Sequence, residues 1–544
     1  MTPSDDLAVL VLAAGSAKKK IPALPLSQDC LAFLPINSQP LARLVINFYK
    51  DHGVQHVYIA CEERDVDALT EELKIYGDSV HILSIESTSN VVDTLSLACL
   101  QIQHEDLIVH AVTTIPTVFL NDSESVLLED CLAYPEDWSG VLPQKFPHTQ
   151  FVSKSEERPD VKAHAFTGVF RCHKSLILEV APRLKGNQRK DLLNLICKAY
   201  ENTDFLWKKD EWLDCGHVQK FYQTRKKIFG SRYFNSISIE EKTDVLKKTS
   251  TNIKKLYAEK SYIEKLPDEL KIFFPRVVSY DESKDLAELK MEYYGYPTLA
   301  EMMLYWDLPL SLWDSLFQKL SDALSIFREY NFSYSEEATQ NIYVNKTLER
   351  VKDFREQNVF STLNIFNQET IVINNVEMPG WGKVSHHIEK VYKSSFSKEN
   401  FTAIHGDFCF NNILGDPFTA IIKLIDPRGS FGGSECQISG DHKYDWAKWG
   451  HSVVGCYDYI VNDLFHIEQN KEDEWILDIP ERPWQKDLKH LFWKQVDESK
   501  LEREKISWII STLFLSMTPL HKDNPLRQQA MFLTGLQLYP YKNI

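Results

Sequence analysis

Several things this chain lacks narrow what it can be. It has ten cysteines but no C-x-x-C pair, so a zinc site of paired thiolates is excluded, and a disulfide scaffold would be shorter and denser in cysteine. Buried free thiols are the expectation. Long apolar runs are missing. The longest near the C-terminus, ISWIISTLFLSM (Ile506–Met517), falls well short of the roughly 20 residues that span a bilayer. Asp5 and Asp6 ahead of a short apolar stretch make a poor secretory signal, so a soluble, cytoplasmic protein with no membrane span is expected. An excess of positive charge is also missing. The formal net charge of −16 argues against nucleic acid or an anionic membrane as the main partner. His386 and His387 are adjacent rather than one helical turn apart, which is the wrong spacing for aiming both at one metal. Neither internal repeats nor low-complexity linkers occur. What remains is ordinary globular composition, 43% hydrophobic and 25% charged, in a chain of 544 residues. That is too long for one hydrophobic core, so two or more domains are expected.

The first part alternates short β-branched runs with helical patterns. LAVLVLAAG reads as a strand entering a turn, LARLVINFYKDHG as a helix, VQHVYIAC as a strand and VDALTEELKIYG as a helix. VHILSIE, VVDTLSLACLQI and DLIVHAV continue as strand, helix and strand. This alternation predicts a doubly wound α/β domain with a mostly parallel sheet covered on both faces. Ligands in such sheets bind beyond the carboxyl ends of the strands, which directs attention to the turn at Gly15. The pattern changes near residue 231. RYFNSISIEE and TDVLKKTS predict a strand pair, NIKKLYAEKSYIEKLP an amphipathic helix and VVSYDESKDLAELKMEYY a hairpin, and the rest is mainly helical. A small sheet followed by a larger helical part is an α+β, two-lobed arrangement. The expected domains are 1–232 and 233–544.

One stretch of the second domain carries chemistry: FTAIHGDFCFNNILGDPFTAIIKLIDPRGSFGG (Phe401–Gly433). Transfer of a γ-phosphoryl group needs metal ions that hold the phosphates and a carboxylate that takes the proton of the attacking hydroxyl. An H-x-D-x-x-x-x-N loop supplies the carboxylate and one metal ligand, and a later Asp supplies the other. His405, Asp407 and Asn412 match that loop, and IIKLIDP is a buried strand with Asp426 at its end. The other parts of such a site follow in order. Lys248, rather than Lys247, is the expected strand lysine for the α/β-phosphates, and Glu259, eleven residues later, is its helix partner. Met291, Glu292, Tyr293 and Tyr294 stand where a hinge would present backbone groups to adenine. Asp445 lies at a helix start, where it would cap N–H groups and brace the loop.

These motifs resemble the aminoglycoside phosphotransferase and choline kinase group, whose loop typically reads HGD-x-x-x-x-N and whose metal Asp follows a hydrophobic strand. The resemblance covers roughly Arg232–Trp449. It implies a protein-kinase-like fold, ATP and Mg as cofactors, Asp407 as base, and Asn412 and Asp426 as magnesium ligands, with His405 and Asp445 supporting. Two features depart from the pattern. No G-x-G-x-x-G loop precedes Lys248, leaving small residues such as Ser236 to cover the phosphates. DPRGSFGG after the metal Asp is unusual: Arg428 either fixes the local turn, the preferred reading, or contacts an anionic substrate. Tyr444, Trp446 and Trp449 are expected in the core, with a box for a quaternary amine as the alternative.

The front domain resembles the nucleotidyltransferases that make sugar or choline nucleotides. VLVLAAG matches their opening, LPINSQPLARLVINFYKDHGVQHVYI their P-x-x-G-K-P-L segment with its helix and strand, AFTGVFRC a later strand, and EWLDCGHVQKFYQTR the element that carries a magnesium Asp. The resemblance places nucleotide binding at Ala14, Gly15, Lys18 and Asp214. Ser16, Ala17 and Lys18 nevertheless replace the glycine and arginine of the pattern, and no lysine occurs between Lys20 and Lys50. Thr113 and Thr114 stand in place of a metal Asp. The front domain is therefore expected to be degenerate.

The leading expectation is an ATP- and Mg-dependent small-molecule kinase acting on a hydroxyl of a sugar or amino alcohol. Its nucleotidyltransferase-like front domain suggests the supply of precursors for surface polysaccharide (capsule). The alternatives are a bifunctional kinase and nucleotidyltransferase, and a non-catalytic nucleotide-binding regulatory protein.

Overall fold

Every residue of Leu7–Leu12 is buried, which only a central strand covered on both faces permits. The computed structural model describes residues 6–121, 125–131, 139–141, 151–152, 163–200, 206–228, 235–240, 242–357, 364–396, 398–435, 437–471, 473–480 and 482–540. The chain divides into two compact units, Met1–Ile228 with Tyr305–Asp307, and Phe229–Leu304 with Leu308–Ile544. The boundary expected at 232/233 falls outside the described residues.

In the first unit, Leu7–Leu12 lies parallel between His56–Glu62 and Asp106–Ala111, and His56–Glu62 is parallel to Val80–Ile85. Helices Leu41–Asp51, Val66–Leu73 and Val91–Gln101 intervene along the chain, as parallel crossovers require. Strand residues alternate between faces. Ala8, Leu10 and Leu12 share a core with Leu95 and Ala98 of one helix. On the other face, Val11 is in register with His110, and Tyr49 of the helix Leu41–Asp51 bonds to His110 at 2.8 Å. The sheet is less parallel than expected. The long strand Ala163–His173 runs antiparallel to both Asp106–Ala111 and Ser125–Cys131, which interrupts the parallel pairing at Asp106–Ala111 before Leu206–Lys209 pairs parallel with Ser125–Cys131.

The second unit begins with a four-stranded antiparallel sheet in the order Asn235–Glu240, Val245–Ser250, Ala287–Glu292, Val277–Glu282. The helix Ile253–Lys265 follows its second strand. The larger part is helical, built around Leu310–Arg328, Lys443–Val453, Gln485–Glu498, Arg503–Met517 and Pro525–Gln537. Arg503–Met517 is buried from Ile506 onward apart from Ser507 and Met517, as a helix apolar all round must be. The sequence reading had no place for a second small sheet among these helices. There, Thr370–Ile373 pairs with Val376–Pro379 and with Glu474–Asp478, which also pairs with His466–Lys471. Among the described residues no helix is long and apolar enough to cross a membrane, and eight cysteines are free, seven of them buried.

Candidate functional site

The loop that follows strand Phe401–Ala403 is fixed from three directions. Asp445, in the first turn of helix Lys443–Val453, accepts the backbone N–H of His405 at 2.6 Å and that of Gly406 at 2.8 Å. Burial pushes its carboxyl up to about 7, against the pull of those two amides. The segment that follows the hairpin Ile413–Gly415/Ile422–Leu424 also ties in: the Ile425 amide donates to Asn412 O, and the Arg428 amide to His405 O, both at 3.0 Å. His405 is fully buried. Its Nε2–H donates to Ile425 O at 3.1 Å, and its Nδ1 accepts the Asp407 amide at 3.2 Å. Burial depresses this imidazole to about 4, so it is a neutral spacer at ordinary pH. Gly406 has φ +79°, and a Cβ there would stand 2.9 Å from Arg428 Cβ. Only glycine suits this position.

Two charged groups are assembled around this loop. In the first, Lys248 of strand Val245–Ser250 meets Glu259 of helix Ile253–Lys265 at 2.6 Å and also meets Asp426. The two carboxylates hold the Lys248 ammonium above its ordinary value although burial opposes the charge. Burial raises Glu259. Lys247 points elsewhere, to Glu288 at 3.2 Å, because strand residues alternate faces. In the second group, Asp407 meets Lys448 at 2.8 Å, and Asn412 Nδ2 donates to Asp407 Oδ2 at 2.9 Å and to Asp407 O at 3.0 Å. Burial opposes ionisation of Asp407, but the Lys448 ammonium, with help from Arg428, holds its carboxyl far below the usual carboxylate range. The Asp407 and Asp426 side chains each keep 37% exposure, while Lys248 keeps 6%: the acids are open to a ligand and the lysine is braced behind them.

Met291 and Glu292 end strand Ala287–Glu292, and register sets Met291 opposite Leu246, two residues from Lys248. Tyr293 and Tyr294 follow outside regular structure. The structure thus brings together Lys248, Glu259, His405, Asp407, Asn412, Asp426 and Asp445, with 291–294 on the adjacent strand end. The side chain of Ser236 lies outside the described residues. Tyr444, Trp446 and Trp449 are buried; Trp449 packs with Phe317 and Phe492, Tyr444 with Phe431 and Trp446 with Trp449, so they form core and no exposed box. Lys448 is the residue the sequence reading missed. It stands three positions after Asp445, on the same helix face, and that spacing was the available signal.

The donor set also bears on magnesium. With its amide N–H₂ bonded to Asp407, Asn412 has a carbonyl oxygen left as acceptor, and Asp426 adds a carboxylate. Hard oxygen ligands in small number are what magnesium takes when substrate phosphates supply the rest. Among the described residues no group of three or more His, Cys, Asp or Glu forms a metal cage.

In the front unit the residues after Leu7–Leu12 fold on themselves. Asp29 Oδ1 accepts the Lys18 amide at 2.7 Å and the Ser16 hydroxyl at 2.8 Å. These bonds, with Arg64, keep the Asp29 carboxyl below its ordinary value despite some burial. Ala17 opens a four-residue helix, Ala17–Lys20, and is buried. Lys18 is exposed. Asp214 is 1% exposed. Its Oδ1 accepts the Gly216 amide at 2.9 Å and its Oδ2 lies 2.6 Å from His217 Nδ1. Thr114 donates to Thr167 O and accepts from Trp212 Nε1. Ala14 and Gly15 therefore lie in the turn and Lys18 in the short helix that follows it, while Asp214 is held within its own turn.

No protein-family model and no curated protein matches the chain. Solved structures similar to parts of it include the inositol-1-phosphate CTP transferase from T. maritima, at 16% identity and TM-score 0.33, covering 41% of this chain and 98% of that one. A UDP-glucose pyrophosphorylase complexed with UDP-glucose is similar at 14% identity and TM-score 0.33, over 40% of this chain and 96% of its own. An aminoglycoside-3'-phosphotransferase of type VIII is similar at 15% identity and TM-score 0.29, over 50% of this chain and 84% of its own.

Proposed function

We propose that the second unit is an ATP-dependent kinase of a small molecule, transferring the γ-phosphoryl group to an acceptor hydroxyl. The observation that carries this reading is the assembly of Lys248, Glu259, Asp407, Asn412 and Asp426 from four separate segments of the chain, with each charge oriented by another. In this reading Lys248 neutralises the α/β-phosphates, held in place by Glu259. The acceptor oxygen bonds to the γ-phosphorus while the bond from that phosphorus to the bridging oxygen of ADP breaks. The hydroxyl proton passes to Asp407, and ADP leaves with the electron pair of the broken bond. Asn412 orients Asp407 toward the hydroxyl, and Lys448 keeps it ionised and ready to accept. Magnesium, held by Asn412 and Asp426 when bound, would draw charge from the phosphates.

The front unit, in the same proposal, is a nucleotidyltransferase-like domain without that activity. Two features support this: the Asp29 carboxylate occupies the Lys18 amide and the Ser16 hydroxyl, donors that a triphosphate would need, and both oxygens of Asp214 are taken within its own turn. A bifunctional enzyme is the alternative, and a role in surface-polysaccharide precursor supply belongs to this proposal.

The test is transfer of label from ATP to a panel of sugars, amino alcohols and their phosphates, with pyrophosphate release followed for each nucleoside triphosphate. Asp407→Asn should lower kcat by about a thousandfold, within the range of general-base contributions, with ATP affinity within about threefold of wild type. Unchanged turnover in that variant would remove Asp407 from the chemistry. Pyrophosphate release by the wild type would establish the bifunctional alternative.

A further inference from the structure

The charges on the acceptor side of Asp407 do not balance. Lys346 and Arg350 stand one turn apart on helix Lys346–Arg355, on a shared face. Lys346 Nζ lies 6.0 Å from the centre of the Tyr444 ring, and Arg428 Nη1 donates to the Tyr444 hydroxyl at 2.8 Å. One turn beyond Tyr444 on its own helix, Lys448 meets Asp407. Tyr444 thus has Lys346 and Arg428 against it, with Arg350 and Lys448 one turn along the same two helices, and Asp407, already paired with Lys448, is the acid among these basic groups. Asp445 is bonded to the loop amides, and Asp441 stands against Lys443 and the Tyr343 hydroxyl. Among the described residues Lys346 has no ion-pair partner. Arg350 donates to the Ser516 carbonyl at 3.0 Å and has Asp353 as its acidic neighbour.

This arrangement is unfavourable as it stands. Burial, with repulsion from Arg428, Arg350 and Lys448, drives the Lys346 amine well below its ordinary value, and Asp407 offsets only part of this. Partly buried like charges without a counterion oppose the compact state. The nucleotide does not resolve the imbalance in the kinase reading. The triphosphate side has its own lysine, Lys248, whose charged neighbours are Asp426 and Glu259. The surplus lies around Asp407, the group that would face the acceptor.

We propose that the acceptor molecule carries an anionic group, a phosphate ester or a carboxylate, seated on Lys346, Arg350 and Arg428 beside the hydroxyl that Asp407 deprotonates. The inference rests on the kinase reading of the same site and adds the charge class of the substrate. Arg428 then has two roles, fixing the turn after Asp426 and presenting its guanidinium to an anion. A cationic amino alcohol is disfavoured by the same field.

The experiment uses the full chain with magnesium and saturating AMP-PNP, which fills the nucleotide site, and titrates inorganic phosphate by calorimetry. Wild type should bind phosphate saturably. Lys346→Met should weaken that binding at least about tenfold, and Lys346→Arg should restore it to within about threefold, the charge being kept. Absence of phosphate binding, or equal binding by Lys346→Met, overturns the proposal. A turnover arm compares glucose, glucose 6-phosphate and gluconate as acceptors. Preference for either anionic member supports the proposal and distinguishes phosphate from carboxylate; preference for glucose overturns it. If AMP-PNP itself does not bind, the kinase reading fails. The phosphate titration without nucleotide then still decides whether Lys346 belongs to an anion site.

Discussion

Asp407, in the proposed role of base, shows how one neighbour would set its working range. A carboxylate enclosed by protein would ordinarily rise in pKa through loss of hydration. Here the Lys448 ammonium at 2.8 Å more than reverses that, and Asp407 is held far below the usual range. A base must be ionised to accept a proton, so lowering its pKa carries activity further into acid. The pH profile of kcat/KM should therefore show no acid limb from Asp407 above about pH 5. Lys448→Met removes the opposing charge and leaves the burial, which pushes the nearby Asp445 up to about 7, so an acid limb should appear within the range pH 5 to 8 where the wild type shows none. Rate profiles of the two proteins between pH 5 and 8 check this, and coincident acid limbs would show that Lys448 does not tune Asp407. The sequence identified Asp407 by its spacing but could not identify Lys448, because a lysine three residues from an aspartate occurs on many helices by chance. Choosing Lys248 over Lys247 was legible for the opposite reason: strand alternation sends neighbours to opposite faces.

The helix Lys443–Val453 and the segment after the hairpin Ile413–Gly415/Ile422–Leu424 together hold the loop. Short loops orient side chains only when their amides are satisfied by rigid neighbours. Asp445 does this for His405 and Gly406 from a buried helix turn. Asp445→Ala would leave two buried N–H groups without an acceptor, a cost of about 2–4 kcal/mol. The loop would lose its brace, so kcat should fall further than affinity for ATP. Urea midpoints and steady-state kinetics on the same variant measure both effects, and a stable variant with unchanged kcat would show that the brace is dispensable. Gly406→Ala tests the loop from the other side, since φ of +79° and the Arg428 contact both disfavour a Cβ. Elements of this kind were legible wherever period and turn signals agreed, as in the helix from Ile253 and the hairpin to Glu292. The sheet built from Thr370–Ile373, Val376–Pro379, His466–Lys471 and Glu474–Asp478 was not legible. Its two halves are separated in sequence by the segment Phe401–Gly433, and a single chain carries no local sign of which distant strands will pair.

Across the whole molecule, sequence alternation conveyed two architectures and missed where the front sheet turns antiparallel, since Ala163–His173 has the composition of any buried strand. Protonation is a second property that belongs to the whole molecule, because stability sums over every buried titratable group. His405 and His442 in the second unit and His110 in the first are depressed by burial to about 4, against 6.5 for an exposed imidazole. A histidine depressed on folding adds stability that is complete above pH 6.5 and is lost as pH falls through 4. Between pH 7 and 5 each one loses on the order of 2 kcal/mol. Asp445 and Asp458 are pushed up to about 7 by burial, and a raised carboxyl acts with the opposite sign, regaining stability as pH falls from 7 toward 4. The net slope is the difference between these sets, so no single group can be read from the wild-type curve. His405→Gln separates one term. Glutamine keeps a donor and an acceptor but does not titrate, so the variant should be less stable at pH 7 yet lose about 2 kcal/mol less than wild type between pH 7 and 5. Urea denaturation of both proteins at the two pH values gives the comparison, and an equal loss in the two would mean that His405 is not held neutral by its burial.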